Sequence, residues 1–263
     1  MIIPFYKYQG TGNDFVLVDQ RENQYLNRGD LSRIAKICDR RFGVGADGLM
    51  LLQNKDGYDF EMVYFNADGR ESSMCGNGGR CITAFAQFLG VIKDQARFLA
   101  IDGEHQSRIH AKDKLVELQM SDVRQVEINA DFYVLNTGSP HYVTFVPQLE
   151  SFDVYEEGKK IRYSDRFAAE GINVNFVKKS GNGIEVATYE RGVEDETLSC
   201  GTGVTAAAIS WWLKEGKLSA EEIPVVTKGG NLSVRFEPDG YVGFKNIWLT
   251  GPAEQVFEGK IDI

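Results

Sequence analysis

Four cysteines and three histidines carry the readiest chemistry in this chain, and the cysteines divide by context. Cys75 and Cys200 each open a glycine-rich stretch, Cys75-Gly76-Asn77-Gly78-Gly79 and Cys200-Gly201-Thr202-Gly203, directly before a run with helical spacing. At a helix N-terminus the first backbone N–H groups lack intrahelical partners and carry partial positive charge. That setting favours thiolate: an unperturbed thiol of pKa ~8.5 is only about 3% ionised at pH 7, whereas helix N-termini lower cysteine pKa to ~3.5–7.5. The glycines also leave bare amides open to a carboxylate. Cys38 and Cys81 fall on core-facing helical positions, where free cysteine acts as a small apolar residue. Neither Cys-X-X-Cys nor His-X-X-X-His occurs, so no metal site is expected.

The two reactive contexts belong to an internal repeat. At an offset of 125 residues Tyr64 matches Tyr189, Glu71 matches Glu196, Ser72 matches Thr197, and Cys75, Gly76 and Gly78 match Cys200, Gly201 and Gly203. Phe5-Tyr6 followed by Thr11-Gly12-Asn13 likewise resembles Phe132-Tyr133 followed by Thr137-Gly138-Ser139. Two homologous α/β halves are expected, with a boundary between Ser121 and Asn129, after the strand-like Lys114 to Met120. If the halves close on each other, a sulfur lies on each side of whatever binds between them. Inverting a carbon centre needs that arrangement, because a base takes a proton from one face while an acid delivers one to the other. Helix N-termini aimed at a carboxylate would stabilise the charge that develops. The residues imply an amino-acid racemase or epimerase that needs no cofactor. The alternative from another class is a catalytically silent amino-acid-binding protein, with both cysteines serving only as small residues at helix starts.

The elements that must hold these residues show in the periodicity. Phe60, Met62 and Tyr64 alternate with Asp59 and Glu61, and Ile184, Val186 and Thr188 alternate with Glu185 and Ala187, so each cysteine loop follows a strand. After Cys75, a helix is expected with Cys81, Ile82, Phe85, Phe88 and Leu89 on one face and Gly90 as its stop. After Cys200, Val204 to Leu213 is apolar nearly all round and Gly216 ends it; such a helix must be enclosed, so the strands of each half are expected to curl around it. Asp30 to Phe42 is expected as an amphipathic helix through Leu31, Ile34, Ala35, Cys38 and Phe42, capped by Asp30. Gly43-Val44-Gly45-Ala46-Asp47-Gly48 spells a dinucleotide fingerprint, but a helix precedes it and the apolar strand Leu49 to Leu52 follows. The order is reversed, and nicotinamide or flavin binding is excluded.

Composition bounds the rest. The 263 residues are 43% hydrophobic and 25% charged with 28 Gly and 6 Pro, an ordinary globular balance. Lys plus Arg number 29 against 38 Asp plus Glu, a net charge of −9, which argues against nucleic acid or an anionic membrane surface as partner. No apolar stretch approaches the ~20 residues of a membrane span, and the N-terminal Met1 to Lys7 has no export-signal pattern. The cytoplasm is the expected compartment, with the cysteines as thiols.

Gly12-Asn13-Asp14-Phe15, Gly43 to Gly48, Phe65-Asn66-Ala67-Asp68-Gly69, Met74 to Cys81, Pro140-His141, Asn173-Val174, Tyr189-Glu190-Arg191-Gly192 and Ser199 to Gly203 together resemble the diaminopimelate epimerase family over almost the whole chain. The resemblance implies an α/β (α+β) fold of two pseudo-symmetric halves, each a mainly antiparallel β half-barrel wrapped around a central apolar helix. The C-terminal strand would return to the first half, giving residues 1–121 plus about 251–263 and residues 122–250. It implies interconversion of LL- and meso-diaminopimelate in lysine and peptidoglycan precursor synthesis, without pyridoxal phosphate or metal. Family members are often homodimers, and that is the expectation here.

Carried over, Cys75 and Cys200 are the acid/base pair. Asn13, Asn66, Asn173, Glu190 and Arg191 contact the substrate, as do the amides of Gly76, Asn77, Gly201 and Thr202. Arg191 suits a carboxylate and Glu190 an ammonium. His141 either orients or polarises a thiol or is a hydrogen-bonded structural histidine. Ser139 stands where many members carry Asn and reaches less far. Some members place a substrate-contacting Gln where this chain has Gly48, so Gly48 inherits no role. A proline or hydroxyproline racemase-type enzyme of the same fold is the enzymatic alternative; the Glu190-Arg191 pair favours the longer, doubly zwitterionic substrate.

Overall fold

The computed structural model describes residues 1–72, 75–110, 112–216 and 222–263; Met74 of the first cysteine motif lies outside the described residues. The first elements in chain order are β1 (Ile2–Gly10), β2 (Asn13–Asp19), α1 (Leu31–Cys38), β3 (Gly48–Gln53), β4 (Phe60–Asn66), α2 (Gly76–Phe88), β5 (Gln95–Ala100), β6 (Gly103–His110) and β7 (Leu115–Gln119). Then come β8 (Val126–Ile128), β9 (Phe132–Asn136), β10 (Pro140–Phe145), α3 (Val154–Arg162), β11 (Asn173–Ser180), β12 (Gly183–Glu190), β13 (Asp195–Thr197) and α4 (Gly201–Lys214). The chain ends with β14 (Ile223–Thr227), β15 (Gly230–Asp239), β16 (Gly243–Pro252) and β17 (Glu254–Asp262). Two compact units result: Met1–Leu118 with Gly251–Ile263, and Gln119–Thr250.

Within the first unit the strand order is β17-β1-β2-β3-β4-β5-β6-β7, with β2–β3 and β4–β5 parallel and every other join antiparallel. The second unit runs β8-β9-β10-β11-β12-β14-β15-β16, with β10–β11 and β12–β14 parallel and the rest antiparallel. Position by position, the two patterns are the same. A parallel join needs a crossover, usually a helix, and this accounts for the four helices among the described residues: α1 and α2 bridge the two parallel joins of the first unit, α3 and α4 those of the second. The short β13 adds to β12 where, among the described residues, the first unit has the isolated bridge Phe65–Glu71.

One helix per unit is enclosed. The α4 side chains from Val204 to Trp212 are all buried, and its two interior hydroxyls are satisfied locally, Thr205 Oγ1 donating to Gly201 O at 3.0 Å and Ser210 Oγ to Ala206 O at 2.8 Å. Strands β9 to β12, β14 and β15 all touch it, so the sheet curls round. In the first unit α2 is held in the same way by β1, β2, β3, β6 and β17. Opposite sheet faces carry the other helices. Ile34, Ile37 and Cys38 of α1 pack with Ile3, Val16, Val18, Leu49, Leu51 and Val63, and Val154 of α3 packs with Val174, Phe176 and Tyr189. Strand β3 is therefore buried on both sides.

Three expectations need correction. The first helix stops at Cys38 rather than Phe42, because the Asp39 carboxylate accepts the N–H groups of Arg41 and Phe42, both at 2.7 Å, and turns the chain. Phe42 is consequently exposed, Ile37 takes the buried position, and Asp30 makes no side-chain cap bond. Phe88 lies outside the core face of α2 and rests its ring edge on Tyr6. Helix α3 is an addition. Its signal was Asp153, whose carboxylate caps the Glu156 N–H at 3.0 Å, but Gly158 in mid-helix obscured it. That glycine is required, since a Cβ there would lie 2.4 Å from Tyr189 Cβ.

Among the described residues no helix is long and apolar enough to cross a membrane. Phe85 and Phe88 differ sharply in exposure, 0% against 55%. Phe85→Ala is expected to cost about 3–5 kcal/mol in urea unfolding, the usual price of emptying an aromatic core position. Phe88→Ala should cost about 1 kcal/mol or less.

Candidate active site

Both cysteines occupy the N-cap position of an enclosed helix. Cys75 has φ −96° and ψ 133°, Cys200 φ −115° and ψ 111°, and neither side chain makes a capping bond. Their carbonyls accept the first intrahelical bonds, from Gly79 N–H at 2.7 Å and Val204 N–H at 2.9 Å. The N–H groups of Gly76, Asn77 and Gly78, and of Gly201, Thr202 and Gly203, therefore have no partner within their own helices. Asparagine or serine at an N-cap would normally take such an N–H; neither cysteine does. Gly203 is fixed by packing, because a Cβ there would sit 2.4 Å from Asn175 Oδ1.

The sulfurs meet different neighbours. Cys75 Sγ lies 3.5 Å from Asn13 Oδ1, and Cys200 Sγ lies 3.5 Å from Thr202 Oγ1. Cys38 and Cys81 are the scaffold thiols expected from the sequence, both buried and pushed up to about 12 chiefly by that burial. None of the four cysteines forms a disulfide.

Around Cys75 the first unit builds an ionic brace. Asn13 Nδ2 donates to Asp47 Oδ2 at 2.6 Å; Arg40 bridges Asp47 and Asp14, both at 2.7 Å; the Lys7 ammonium meets Asp14 at 2.6 Å and donates to Gly45 O. Burial pushes the Asp14 carboxyl up, but hydrogen bonds from Arg40 and Lys7, reinforced by their charges, outweigh it and hold the group well below the usual carboxylate range. The sequence reading missed Lys7, Asp14, Arg40 and Asp47 as site residues. Asp14 and Asp47 lie inside the quoted motifs, and that was the available signal. Asn77 is a bracing residue through its side chain: its Oδ1 accepts from the buried Arg80 guanidinium at 3.1 Å and its Nδ2 donates to Asn13 Oδ1 at 3.3 Å. Asn66, the last residue of β4, is exposed, and its carbonyl closes a turn with Gly69 N–H at 2.9 Å. Gly48 has no room for a side chain, as a Cβ would lie 2.5 Å from Phe65 O and 2.6 Å from the Tyr64 ring.

The second unit uses neutral groups for the same task. Asn173 Nδ2 donates to Ser139 Oγ at 2.8 Å and Pro140 O at 3.0 Å, and its Oδ1 accepts the Arg191 N–H at 2.9 Å, so Asn173 ties Ser139 to Arg191. The Arg191 guanidinium donates to Glu170 O at 2.9 Å, and Glu190 Oε2 accepts from Thr197 Oγ1 at 3.0 Å. Deeper in, Asn175 accepts from Thr188 Oγ1 at 2.9 Å, which turns its Nδ2 toward His141 Nδ1 at 3.1 Å. His141 is fully buried. Burial first, then the Arg191 charge, pushes its imidazole down to about 3. It is therefore neutral, with Nδ1 accepting and the proton on Nε2. Among the described residues no group of three or more His, Cys, Asp or Glu is arranged to hold a metal ion.

Comparison with known proteins agrees with this architecture. The sequence profile of the family described as diaminopimelate epimerase matches residues 5–126 and 133–256. The diaminopimelate epimerase of Flavobacterium psychrophilum is 52% identical over 97% of this chain and 99% of its own. That of Aquifex aeolicus is 38% identical over 98% and 97%. Among solved structures, a phenazine biosynthesis protein of the PhzF family from Bacillus anthracis superposes with a TM-score of 0.77 at 16% identity, covering 100% of both chains. A hydroxyproline epimerase from Agrobacterium vitis gives 0.72 at 13% identity, covering 99% of this chain and 92% of its own; at these identities the likeness is one of fold.

His141 generates a pH prediction. An unfolded imidazole takes a proton near pH 6.5, whereas the folded one resists until about 3. The unfolded state thus binds more protons between these values, and the His141 contribution to stability is lost as pH falls from about 6.5 toward 3. An NMR titration should find the His141 ring neutral throughout pH 4.5–8, and His141→Phe should flatten the acid limb of the stability profile. The family profile over nearly the whole length, the identities to curated relatives and the repeated cysteine-capped helices lead to one assignment: the chain belongs to the diaminopimelate epimerase family.

Proposed function

We propose that this chain is an isomerase that converts LL-diaminopimelate to meso-diaminopimelate without a cofactor, using Cys75 and Cys200 as its acid/base pair. The observation that carries the reading is the pair of cysteine N-caps at equivalent positions of two units with the same strand pattern, in a chain 52% identical to a diaminopimelate epimerase. One sulfur, as thiolate, takes the proton from Cα; the other, as thiol, supplies a proton to the opposite face of the same carbon. Configuration inverts and the thiol and thiolate exchange roles, so the product leaves an enzyme set for the reverse direction. Charge that develops on the α-carboxylate as the proton leaves is met by first-turn amides of Gly76 and Asn77 and of Gly201 and Thr202.

Recognition follows from the remaining groups. Asn13 and Asn66 in the first unit, and Asn173, Glu190 and Arg191 in the second, supply donors and acceptors for a substrate with an amino-acid group at each end. Glu190 suits the distal ammonium and Arg191 the distal carboxylate. Ser139 acts through Asn173, to which it is bonded at 2.8 Å, and His141 through Asn175, as a neutral group that keeps the strand ends in register. The reading places the enzyme in the cytoplasm, in lysine and peptidoglycan precursor synthesis. Diaminopimelate is its small-molecule partner, nucleic acid and membrane have no part, and the chain pairs as a homodimer, which sedimentation equilibrium checks.

Solvent-deuterium incorporation at Cα over a panel of amino acids tests the reaction and the substrate together. Label is expected in diaminopimelate and not in proline; label in proline alone would mark a proline racemase-type enzyme, and no label anywhere a binding protein. Cys75→Ala and Cys200→Ala should each lower turnover about 10³-fold or more, the upper range for loss of a general acid or base. A single variant with near-normal turnover would overturn the two-sulfur scheme.

A further inference from the structure

The hydrogen bonds around Cys75 have a fixed direction. The Arg80 guanidinium is fully buried and can only donate, so the Asn77 oxygen it meets at 3.1 Å is identified as Oδ1, which also accepts from Thr11 Oγ1 at 3.5 Å. That leaves Asn77 Nδ2 to donate to Asn13 Oδ1 at 3.3 Å. At the other end the Asp47 carboxylate can only accept, and at 2.6 Å it claims Asn13 Nδ2. Both ends therefore require one orientation of the Asn13 amide, with its oxygen against Cys75 Sγ at 3.5 Å. An oxygen there accepts from S–H and favours the thiol, whereas a flipped amide would present N–H and favour the thiolate. The second unit is built differently: Ser139 stands in the Asn13 position and its hydroxyl is engaged by Asn173, while Cys200 Sγ faces the Thr202 hydroxyl, which can donate or accept.

We propose that Asp47 is a positioning residue that acts through Asn13 to hold a hydrogen-bond acceptor against Cys75, a contact that favours the thiol of this residue over its thiolate. The inference rests on the reading of Cys75 as an acid/base group. Other groups act on this sulfur. The α2 N-terminus and the Arg80 cation favour thiolate. Asp14 and Asp47 oppose it, each paired with Arg40, and Asp14 also with Lys7. The locked amide adds an orientation-dependent contribution on the thiol side, and it is this contribution that Asp47 controls.

The test reads the thiol itself, whether or not the chain turns over diaminopimelate. In a Cys200→Ala background, the rate of Cys75 alkylation by iodoacetamide is followed against pH, with peptide mapping to confirm the site; Cys38 and Cys81 are buried. Salt at about 1 M shortens the Debye length to ~3 Å and screens the bare charge of Asp47. Asn13→Ala removes the acceptor and should lower the alkylation midpoint by about one pH unit, roughly tenfold in rate at pH 7. Asp47→Ala should lower it similarly, and adding Asp47→Ala to Asn13→Ala should lower it no further. A general loosening would raise the plateau rate and leave the midpoint in place. Where the alanine variant does not fold, Asp47→Asn substitutes, with a smaller shift of the same sign that again vanishes with Asn13→Ala. An unmoved midpoint in the Asp47 variants, or an equal shift with and without Asn13, overturns the proposal.

Discussion

A helix buried on every side still begins with first-turn N–H groups that the helix itself cannot satisfy. That constraint organises this protein. In each unit the sheet encloses one apolar helix, and the first-turn N–H groups of that helix have no partner within the helix itself. Each such end begins with a cysteine whose side chain makes no capping bond. A sulfur is thus placed beside the polarised first-turn amides, and the strands, crossovers and glycines put that helix end in place.

What the sequence disclosed depended on how local each signal was. The repeat was legible because it lies in residue identities, and α2 and α4 because their apolar runs end at Gly90 and Gly216, both at positive φ of 73°. Helix α3 was hidden by its polar composition and by Gly158, which looks like a helix breaker and exists only because Tyr189 lies against it. The early end of α1 depends on a single carboxylate, Asp39, turning inward on its own loop.

Of the candidate site, the two sulfurs were readable from context, and the brace around Asn13 was not. Lys7 sits in an alternating strand where a lysine ordinarily faces solvent, and it is buried because Asp14 and Gly45 receive its ammonium. Nothing near Lys7 in sequence announces those partners. Asn77 and Asn173 show the same limit. By type they read as turn residues and the family resemblance implied ligand contacts, whereas in the fold their side-chain amides hold Asn13 and join Ser139 to Arg191.

The two units share a strand pattern yet steady their loops by different physics, and the difference bears on what such a pair can recognise. The first uses paired charges, Lys7, Asp14, Arg40 and Asp47, which hold while the carboxylates stay ionised. The second uses Ser139, Asn173, Asn175, Thr188 and a neutral His141, none of which changes charge across ordinary pH. Identical halves would suit a ligand that presents the same groups to each. The repeat has diverged in its charges as well: Glu190-Arg191 stands where the 125-residue offset places Phe65-Asn66, and Asn173 where it places Gly48. Adjacent opposite charges thus lie at these positions in one unit only. Duplication accounts for two equivalent helix ends, and divergence around them for the different groups that brace each.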